Sequence, residues 1–158
     1  PATKIFQAFR IEVNQVLMEI ERALVEVQKY VSHQKILPIE LTDDRFYHGD
    51  TAICPIGQGF ILAYPSVLSD AGASLLKQIY GEKLISLIWE DARAYAANSF
   101  YVESQERHFL IMPMGVSDYL KGKIKELRVE ILEADVSEFF LKGGGSVKCM
   151  ILDLGLVS

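Results

Sequence analysis

At 158 residues, the chain is long enough to form one domain with a hydrophobic core of useful size. Hydrophobic residues make up 50% and charged residues 23%, a composition that excludes an intrinsically disordered chain. The formal net charge of -5 argues against a general binder of nucleic acids or anionic membranes. We therefore expect a globular protein with neither nucleic acid nor membrane among its partners.

Cysteine content and hydropathy narrow the expected cellular setting. The two cysteines, Cys54 and Cys149, are too few for a disulfide scaffold, and both lie in strand-like runs. No apolar run reaches the length of a membrane span, and the charged amino-terminal segment lacks a signal-peptide pattern. These features predict a reducing, cytoplasmic location. Because the chain begins at Pro1 instead of methionine, we expect a processed, trimmed or engineered product.

The amino-terminal segment has the longest helical pattern. Over residues 3–31, apolar side chains recur at spacings of three and four, with charged side chains between them. At about 1.5 Å per residue, such a helix would be about 40 Å long, which is long for a chain of this size. The predicted organisation is an amphipathic helix over 1–31 followed by an α/β domain over 32–158.

The rest of the chain alternates predicted strands and helices. In order, the predicted elements are strands over 36–41, 51–55 and 59–64, a helix of about ten residues between Ser69 and Gly81, a strand over 83–89, a helical or irregular passage over 90–97, strands over 99–103 and 108–112, a helix over 116–127, a strand over 128–133, a short helix over 136–141 and a strand over 147–154.

The order strand, strand, helix, strand occurs twice, as a weak internal repeat. Units of this kind cannot bury their apolar faces alone and stack around an axis. An incomplete stack of two such units exposes strand edges and an apolar flank. The amino-terminal helix would cover part of that surface. Self-association, most simply as a homodimer, would cover the rest.

A glycine-rich turn near the carboxyl end carries the first candidate for chemistry. Gly143, Gly144 and Gly145 permit unusual backbone angles and close approach to a ligand, and Cys149 follows at the start of the predicted strand. A thiol held between a turn and a rigid strand is well placed to act as a nucleophile. A buried structural cysteine is the alternative, and these residues alone favour it because cysteine is among the most buried residue types.

A histidine and a carboxylate form the second candidate. His48 and Asp50 lie in a predicted loop that runs into a strand. Residues two apart in an extended segment point to the same side, so both side chains would share a face. Beside a cysteine, a histidine base and a carboxylate are the parts of an activated-thiol site.

Four segments carry a resemblance to a known family. They are Arg45-Phe-Tyr-His48-Gly-Asp50-Thr, Asp91-Ala-Arg-Ala-Tyr-Ala-Ala-Asn98, Asp135-Val-Ser-Glu-Phe and Lys142-Gly-Gly-Gly-Ser-Val-Lys-Cys149. Through them, residues from about 25 to 154 resemble the carboxy-terminal half of the guanidine-modifying amidinotransferases and amidinohydrolases. This family includes arginine deiminases, dimethylarginine hydrolases and amidinotransferases, and its fold is a propeller of such repeats around a central active site. The resemblance therefore implies that this chain is a partial α/β propeller.

The resemblance implies a role for each candidate residue. Cys149 would be the nucleophile and His48 the general acid/base, whereas Asp50 would bind the guanidinium and Asn98 would be a further substrate-binding position. Attack by the thiolate on the guanidinium carbon would give a covalent amidino-thioether. His48 would then protonate the departing amine and activate water or an acceptor amine. The chemistry needs no metal or organic cofactor, and the sequence shows no metal-ligand spacing.

Two departures from the family limit what the resemblance implies. Gly49 replaces the usual leucine between the histidine and the aspartate, which loosens the backbone holding both. The family also has an amino-terminal half that supplies further acidic residues for the guanidinium. We therefore expect weak activity, or none, from the chain alone. Pairing with a complementary amino-terminal half and a folded, non-catalytic scaffold that self-associates are the alternatives; the substrate, and hydrolase versus transferase, stay open.

The amino-terminal segment has a separate resemblance. Residues 1–14, continuing to about residue 24, resemble a helix of the bacterial small-subunit ribosomal RNA cytosine methyltransferase. The match contains no cofactor-binding segment of that family, so no methyltransferase activity follows. It predicts a chimera with a junction near residues 24 and 25. Chance similarity in an ordinary amphipathic helix is the alternative.

Overall fold

The computed structural model of the chain describes residues 5–8, 16–31, 36–104 and 106–152. The elements are, in order, β1 (Ile5–Ala8), α1 (Val16–Tyr30), β2 (Leu37–Glu40), α2 (Gly49–Ala52), β3 (Ile53–Pro55), β4 (Ile61–Ala63), α3 (Asp70–Tyr80), β5 (Leu84–Ser86), α4 (Trp89–Arg93), β6 (Phe100–Ser104), β7 (Arg107–Pro113), α5 (Asp118–Glu126), β8 (Val129–Ala134) and α6 (Ser137–Gly143). The chain is therefore an α/β protein, as predicted. None of the helices within these ranges has the length and apolar character needed to cross a membrane.

The amino-terminal segment contains a strand that the apolar spacing did not predict. β1 pairs in parallel with β2, and α1 begins only at Val16, so the prediction of one helix over 3–31 is wrong. Periodicity cannot distinguish a strand of four mostly apolar residues from one turn of helix, and pairing with β2 decides here. Residues 3–4 and 9–15 of the predicted helix lie outside the described residues. The domain boundary after residue 31 stays a prediction.

The chain divides into two compact units. The first comprises the described residues of Pro1–Gly49 and Pro65–Ile79, and the second those of Asp50–Tyr64 and Tyr80–Ser158. The first unit contains the β1–β2 pair, α1 and almost all of α3, and Leu41 bridges to the chain before α3. The second unit contains two sheets of three strands each.

The two sheets of the second unit have the same topology. β3 and β4 are antiparallel and β5 is parallel to β4; β6 and β7 are antiparallel and β8 is parallel to β7. In the chain, α3 lies between β4 and β5, and α5 between β7 and β8. The predicted repeat of strand, strand, helix and strand is thus confirmed. Within the ranges described, each sheet is open and no closed propeller is formed.

The turn between β3 and β4 requires glycine. Gly57 has a φ of +80°, and its carbonyl accepts from the Phe60 N–H at 2.8 Å. A Cβ atom on Gly57 would lie 2.0 Å from Cζ of Tyr101, a residue of β6. Glycine is therefore needed both for the backbone angle and for the approach of this turn to the second sheet.

A buried carboxylate anchors the start of α5. Asp91 of α4 is 1% exposed, and it accepts from the N–H and the hydroxyl of Ser117 at 2.7 and 2.9 Å. The Ser117 hydroxyl also accepts from the Leu120 N–H and so caps α5. Because each carboxylate oxygen has a donor, this buried charge is satisfied.

The strand predicted over 147–154 is wrong for the residues that are described. Lys148–Met150 form a 3₁₀ turn, and Val147 has helical angles of -51° and -52°. The apolar composition favours a strand, but the Cys149 N–H is held by a side-chain amide instead of a neighbouring strand. Residues 153–154 lie beyond the described part.

Candidate active site

The turn after α6 places an exposed thiol on the second unit. Gly144 ends α6 with a φ of +69°, and its N–H donates to the Phe140 carbonyl at 3.0 Å. Cys149 follows in the 3₁₀ turn and is exposed, whereas Cys54 is buried. The interpretation of Cys149 as a buried structural cysteine is therefore wrong. Accessibility to a reactant is the first requirement of a nucleophile.

The glycine run is in direct contact with the thiol. Gly145 is buried, and a Cβ atom on it would lie 2.8 Å from Cβ and 3.1 Å from Sγ of Cys149. The same atom would lie 3.0 Å from Cε1 of Phe139 on α6. Any side chain at position 145 would therefore displace the cysteine or the aromatic ring. The third glycine is thus required because the thiol occupies the space of its side chain.

A carboxylate lies next to the thiol. Oδ2 of Asp50 is 3.9 Å from Sγ of Cys149. Oδ1 of Asp50 is buried and has no hydrogen-bond partner among the described residues. A buried carboxylate oxygen is normally paired, because an unpaired one loses its hydration without compensation. The arrangement leaves a carboxylate acceptor beside an exposed thiol, which suits a cationic ligand that donates hydrogen bonds.

Asn98 lies beneath these two residues. Its side chain is fully buried, and its Oδ1 accepts from the Ser146 N–H at 3.0 Å and the Cys149 N–H at 3.3 Å. Its Nδ2 donates to the Asp50 carbonyl at 3.3 Å. The structure therefore brings Asp50, Asn98 and Cys149 together, although the sequence separates them by about 50 residues at each step.

His48 belongs to the first compact unit, whereas Asp50, Asn98 and Cys149 belong to the second. The imidazole is exposed, and its centroid is 4.5 Å from that of the Tyr47 ring. The backbone at Asp50 is in the short helix α2, so the extended geometry expected for His48 and Asp50 is wrong. The acid/base role of His48 stays a prediction.

Cys54 holds the segment that follows Asp50. Its thiol donates to the Ser99 carbonyl at 3.3 Å, next to Asn98 in the chain. Burial raises the pKa of the Cys54 thiol to about 11, and the positive charge of Lys148 offsets part of that rise. At neutral pH, Cys54 is therefore a protonated, buried thiol with a structural role, whereas Cys149 is exposed.

Stability is expected to fall at high pH because of Cys54. The folded-state pKa of Cys54, about 11, exceeds the ordinary value of 9.0. Its contribution to the free energy of unfolding is therefore fully present below pH 9 and is lost as the pH rises towards 11. The free energy of unfolding should decrease by about 2–3 kcal/mol over that interval. Urea unfolding at about pH 8.5, 9.5 and 10.5 measures the decrease.

The matched control is Cys54→Ala, which should show a smaller decrease. Burial also raises the pKa values of Tyr80 and Tyr101, so the difference between the two proteins isolates the thiol. Parallel losses of stability in both proteins would contradict the assignment.

Ser146 is a site residue that the sequence did not single out. It is fully buried, its N–H is bound by Asn98, and its Oγ has no hydrogen-bond partner within the described part of the chain. The available signal was a hydroxyl placed directly after three glycines. In the ranges that the structure describes, no group of three or more His, Cys, Asp or Glu side chains is arranged to hold a metal ion.

Comparison with known proteins agrees with this geometry. Residues 11–156 match the family described as N,N dimethylarginine dimethylhydrolase, eukaryotic. The chain is 34% identical over 119 residues to the bifunctional arginine dihydrolase/ornithine cyclodeaminase AgrE of Nostoc sp. (strain PCC 7120 / SAG 25.82 / UTEX 2576), which covers 75% of this chain and 16% of AgrE.

Solved structures show the same relationship. The N-terminal domain of ArgZ bound to product, an arginine dihydrolase from the ornithine-ammonia cycle in Cyanobacteria, has a TM-score of 0.80 at 29% identity, over 96% of this chain and 50% of that chain. The same domain covalently bound to a reaction intermediate has a TM-score of 0.77 at 29% identity, over 92% and 48%. The chain thus spans at most half the length of these relatives.

The family match begins inside the segment for which a separate origin was predicted, because it starts at residue 11. The second resemblance, of residues 1–24 to a methyltransferase helix, is not shown by these comparisons. For most of its length, the chain belongs to the N,N dimethylarginine dimethylhydrolase family.

Proposed function

We propose that the chain is a guanidino-group hydrolase domain in which Cys149 attacks the guanidinium carbon. One observation carries the proposal: an exposed thiol lies 3.9 Å from a carboxylate whose other oxygen is buried and lacks a partner among the described residues. The family takes its name from the hydrolysis of dimethylarginine, and the relatives ArgZ and AgrE are named as arginine dihydrolases. The proposed substrate class is accordingly an amino acid with a guanidino group.

The proposed reaction has two steps. The Cys149 thiolate adds to the guanidinium carbon, the carbon–nitrogen bond to the terminal amine breaks, and the amine leaves with a proton supplied by His48. Water, deprotonated by His48, then attacks the amidino-thioether, and the carbon–sulfur bond breaks to give a ureido product and the free thiol. An acceptor amine in place of water would make the same site a transferase.

Asp50 is proposed to bind the cation. A planar guanidinium presents pairs of N–H donors that match the two oxygens of a carboxylate. Oδ1 of Asp50 is available as an acceptor because no described residue donates to it. Binding of a guanidinium would therefore satisfy a buried oxygen to which no residue in the described ranges donates.

We further propose that the chain alone is weakly active or inactive. It spans 50% of the ArgZ domain that it matches, so a complementary half is needed to enclose the substrate. Exposed apolar side chains favour the alternative of a self-associating scaffold: Leu141 is 78% and Leu152 is 81% exposed. A separate origin of residues 1–24 stays a prediction, since the family match already includes residues 11–24.

The test is acid-quenched intact-mass spectrometry after incubation with L-arginine or N,N-dimethylarginine. Weak activity suffices for detection, and the proposal expects a covalent adduct located at Cys149 or a ureido product with released ammonia or dimethylamine. Cys149→Ser should give neither, because the hydroxyl is a far weaker nucleophile. If the wild-type chain gave neither adduct nor product at substrate concentrations that saturate binding, the result would favour the alternative of a non-catalytic scaffold.

A further inference from the structure

We propose that Asn98 is a positioning residue that fixes the Cys149 thiol and the Asp50 carboxylate relative to each other. This inference rests on the proposed function and assigns Asn98 a role different from substrate binding. Its place in the structure, beneath the two residues that would meet the substrate, carries the argument.

Asn98 cannot touch a substrate in this arrangement. Its side chain has no exposed surface, and Oδ1 already accepts two backbone N–H groups, one from Ser146 and one from Cys149. An amide oxygen has two lone pairs, so both are used. The prediction that Asn98 binds substrate directly is therefore replaced by one in which it acts through its neighbours.

The same amide connects the two sides of the site. Nδ2 donates to the Asp50 carbonyl, while Oδ1 holds the turn that carries Cys149. The amide of Asn98 therefore links the two segments that hold Oδ2 of Asp50 and Sγ of Cys149 at a separation of 3.9 Å.

Asn98 is itself held rigidly. It ends the 3₁₀ turn Ala96–Asn98, and its N–H donates to the Tyr95 carbonyl at 2.8 Å. Ser99 closes the same turn, since its hydroxyl donates to the Ala96 carbonyl at 2.7 Å. Ala96 and Ala97 are fully buried. A fixed amide on a packed turn is the kind of support that a precise catalytic geometry needs.

The consequence is a coupling between thiol position and cation recognition. Loss of the amide would free the Ser146 and Cys149 N–H groups and the Asp50 carbonyl, and the two segments would relax independently. A displacement of about 1 Å between reacting groups can cost about a hundredfold in rate. If Asn98 only stabilised the fold, its replacement would leave the selectivity of Cys149 between cationic and neutral reagents unchanged.

The test compares two alkylating reagents of similar shape on the full chain. Chloroacetamidine carries a planar cation, whereas chloroacetamide is neutral, and each rate is divided by the rate with glutathione. The ratio of the corrected rates, here called the amidine preference, measures whether the carboxylate is placed next to the thiol. Mass spectrometry confirms that Cys149, and not buried Cys54, is modified.

Asn98→Ala is expected to lower the amidine preference about tenfold or more. Asn98→Asp keeps an acceptor for the two N–H groups but cannot donate to the Asp50 carbonyl, so it should restore the chloroacetamide rate and not the preference. Ser117→Ala is the control: it removes the hydroxyl's bond to Asp91 and the cap of α5, so it should lower the melting temperature and leave the preference unchanged.

A wild-type amidine preference in folded Asn98→Ala would overturn the inference. If that variant does not fold, a wild-type preference in Asn98→Asp would overturn it equally. A wild-type chain with no amidine preference is a different result: it refutes cation recognition and hence the proposed function. The inference is then judged by the chloroacetamide rate alone, which must still fall in Asn98→Ala and recover in Asn98→Asp.

Discussion

Replacing Asp50 by asparagine should lower the amidine preference of Cys149 by about a hundredfold. The substitution keeps the shape of the side chain and its carbonyl oxygen but removes the charge. A hydrogen bond to a charged group contributes about 1.5–3 kcal/mol, which corresponds to about ten- to a hundredfold. In the proposed function both oxygens of Asp50 accept from the cation. The measurement is the pair of alkylation rates defined above, at low and high salt.

Asp118→Asn is the matched control for this prediction. It removes the same charge from an exposed position in the first turn of α5. A general attraction between the acidic chain and a cationic reagent would weaken equally in both variants and would be screened by salt. An effect restricted to Asp50→Asn identifies a local contact. Equal effects in the two variants would argue against Asp50 as the binding carboxylate.

Gly145→Ala is expected to slow alkylation of Cys149 by either reagent and to destabilise the chain by about 1–3 kcal/mol. The added methyl group would lie 2.8 Å from Cβ of Cys149, closer than packed carbon atoms approach. Since Phe139 blocks the other direction, the turn that carries the thiol has to move. Thermal unfolding and the chloroacetamide rate measure the two effects separately.

Gly143→Ala provides the comparison from within the same glycine run. A Cβ atom there would meet Phe139 at 3.5 Å, which is ordinary contact, and Gly143 lies in α6, where alanine favours the helix. We expect no loss of stability and an unchanged rate of alkylation. If the two variants behave alike, flexibility of the glycine run, and not contact with the thiol, is its function.

The sequence predicts local elements better than it predicts the ends of the chain. Turn residues at Gly57 and Gly81 mark where β4 follows β3 and where α3 ends, and both are confirmed. The helix over 3–31 fails because pairing between β1 and β2 is a tertiary effect that periodicity does not contain. The strand over 147–154 fails at its described residues because the Cys149 N–H, which a strand would use, donates to Asn98.

The candidate site could be predicted in its parts but not in its connections. Cys149, Asp50 and Asn98 were found from residue type and from a resemblance, and the structure places them together. The role of Asn98 could not be read from sequence, because it depends on burial and on hydrogen bonds to distant backbone groups. Gly145 was expected to serve a ligand, whereas its space is occupied by the thiol.

The hydrogen bonds of Asn98 also have a consequence for how the protein folds. They join residues 48 and 51 positions apart, so the site forms only after long loops have closed. Closure of such loops costs entropy before any contact repays it, whereas hairpins such as β6–β7 form from neighbouring residues. The arrangement of thiol and carboxylate is thus assembled late, and a partly folded chain carries a thiol without a carboxylate beside it. The proposed reactivity towards guanidino compounds is in this sense a property of the completed tertiary structure.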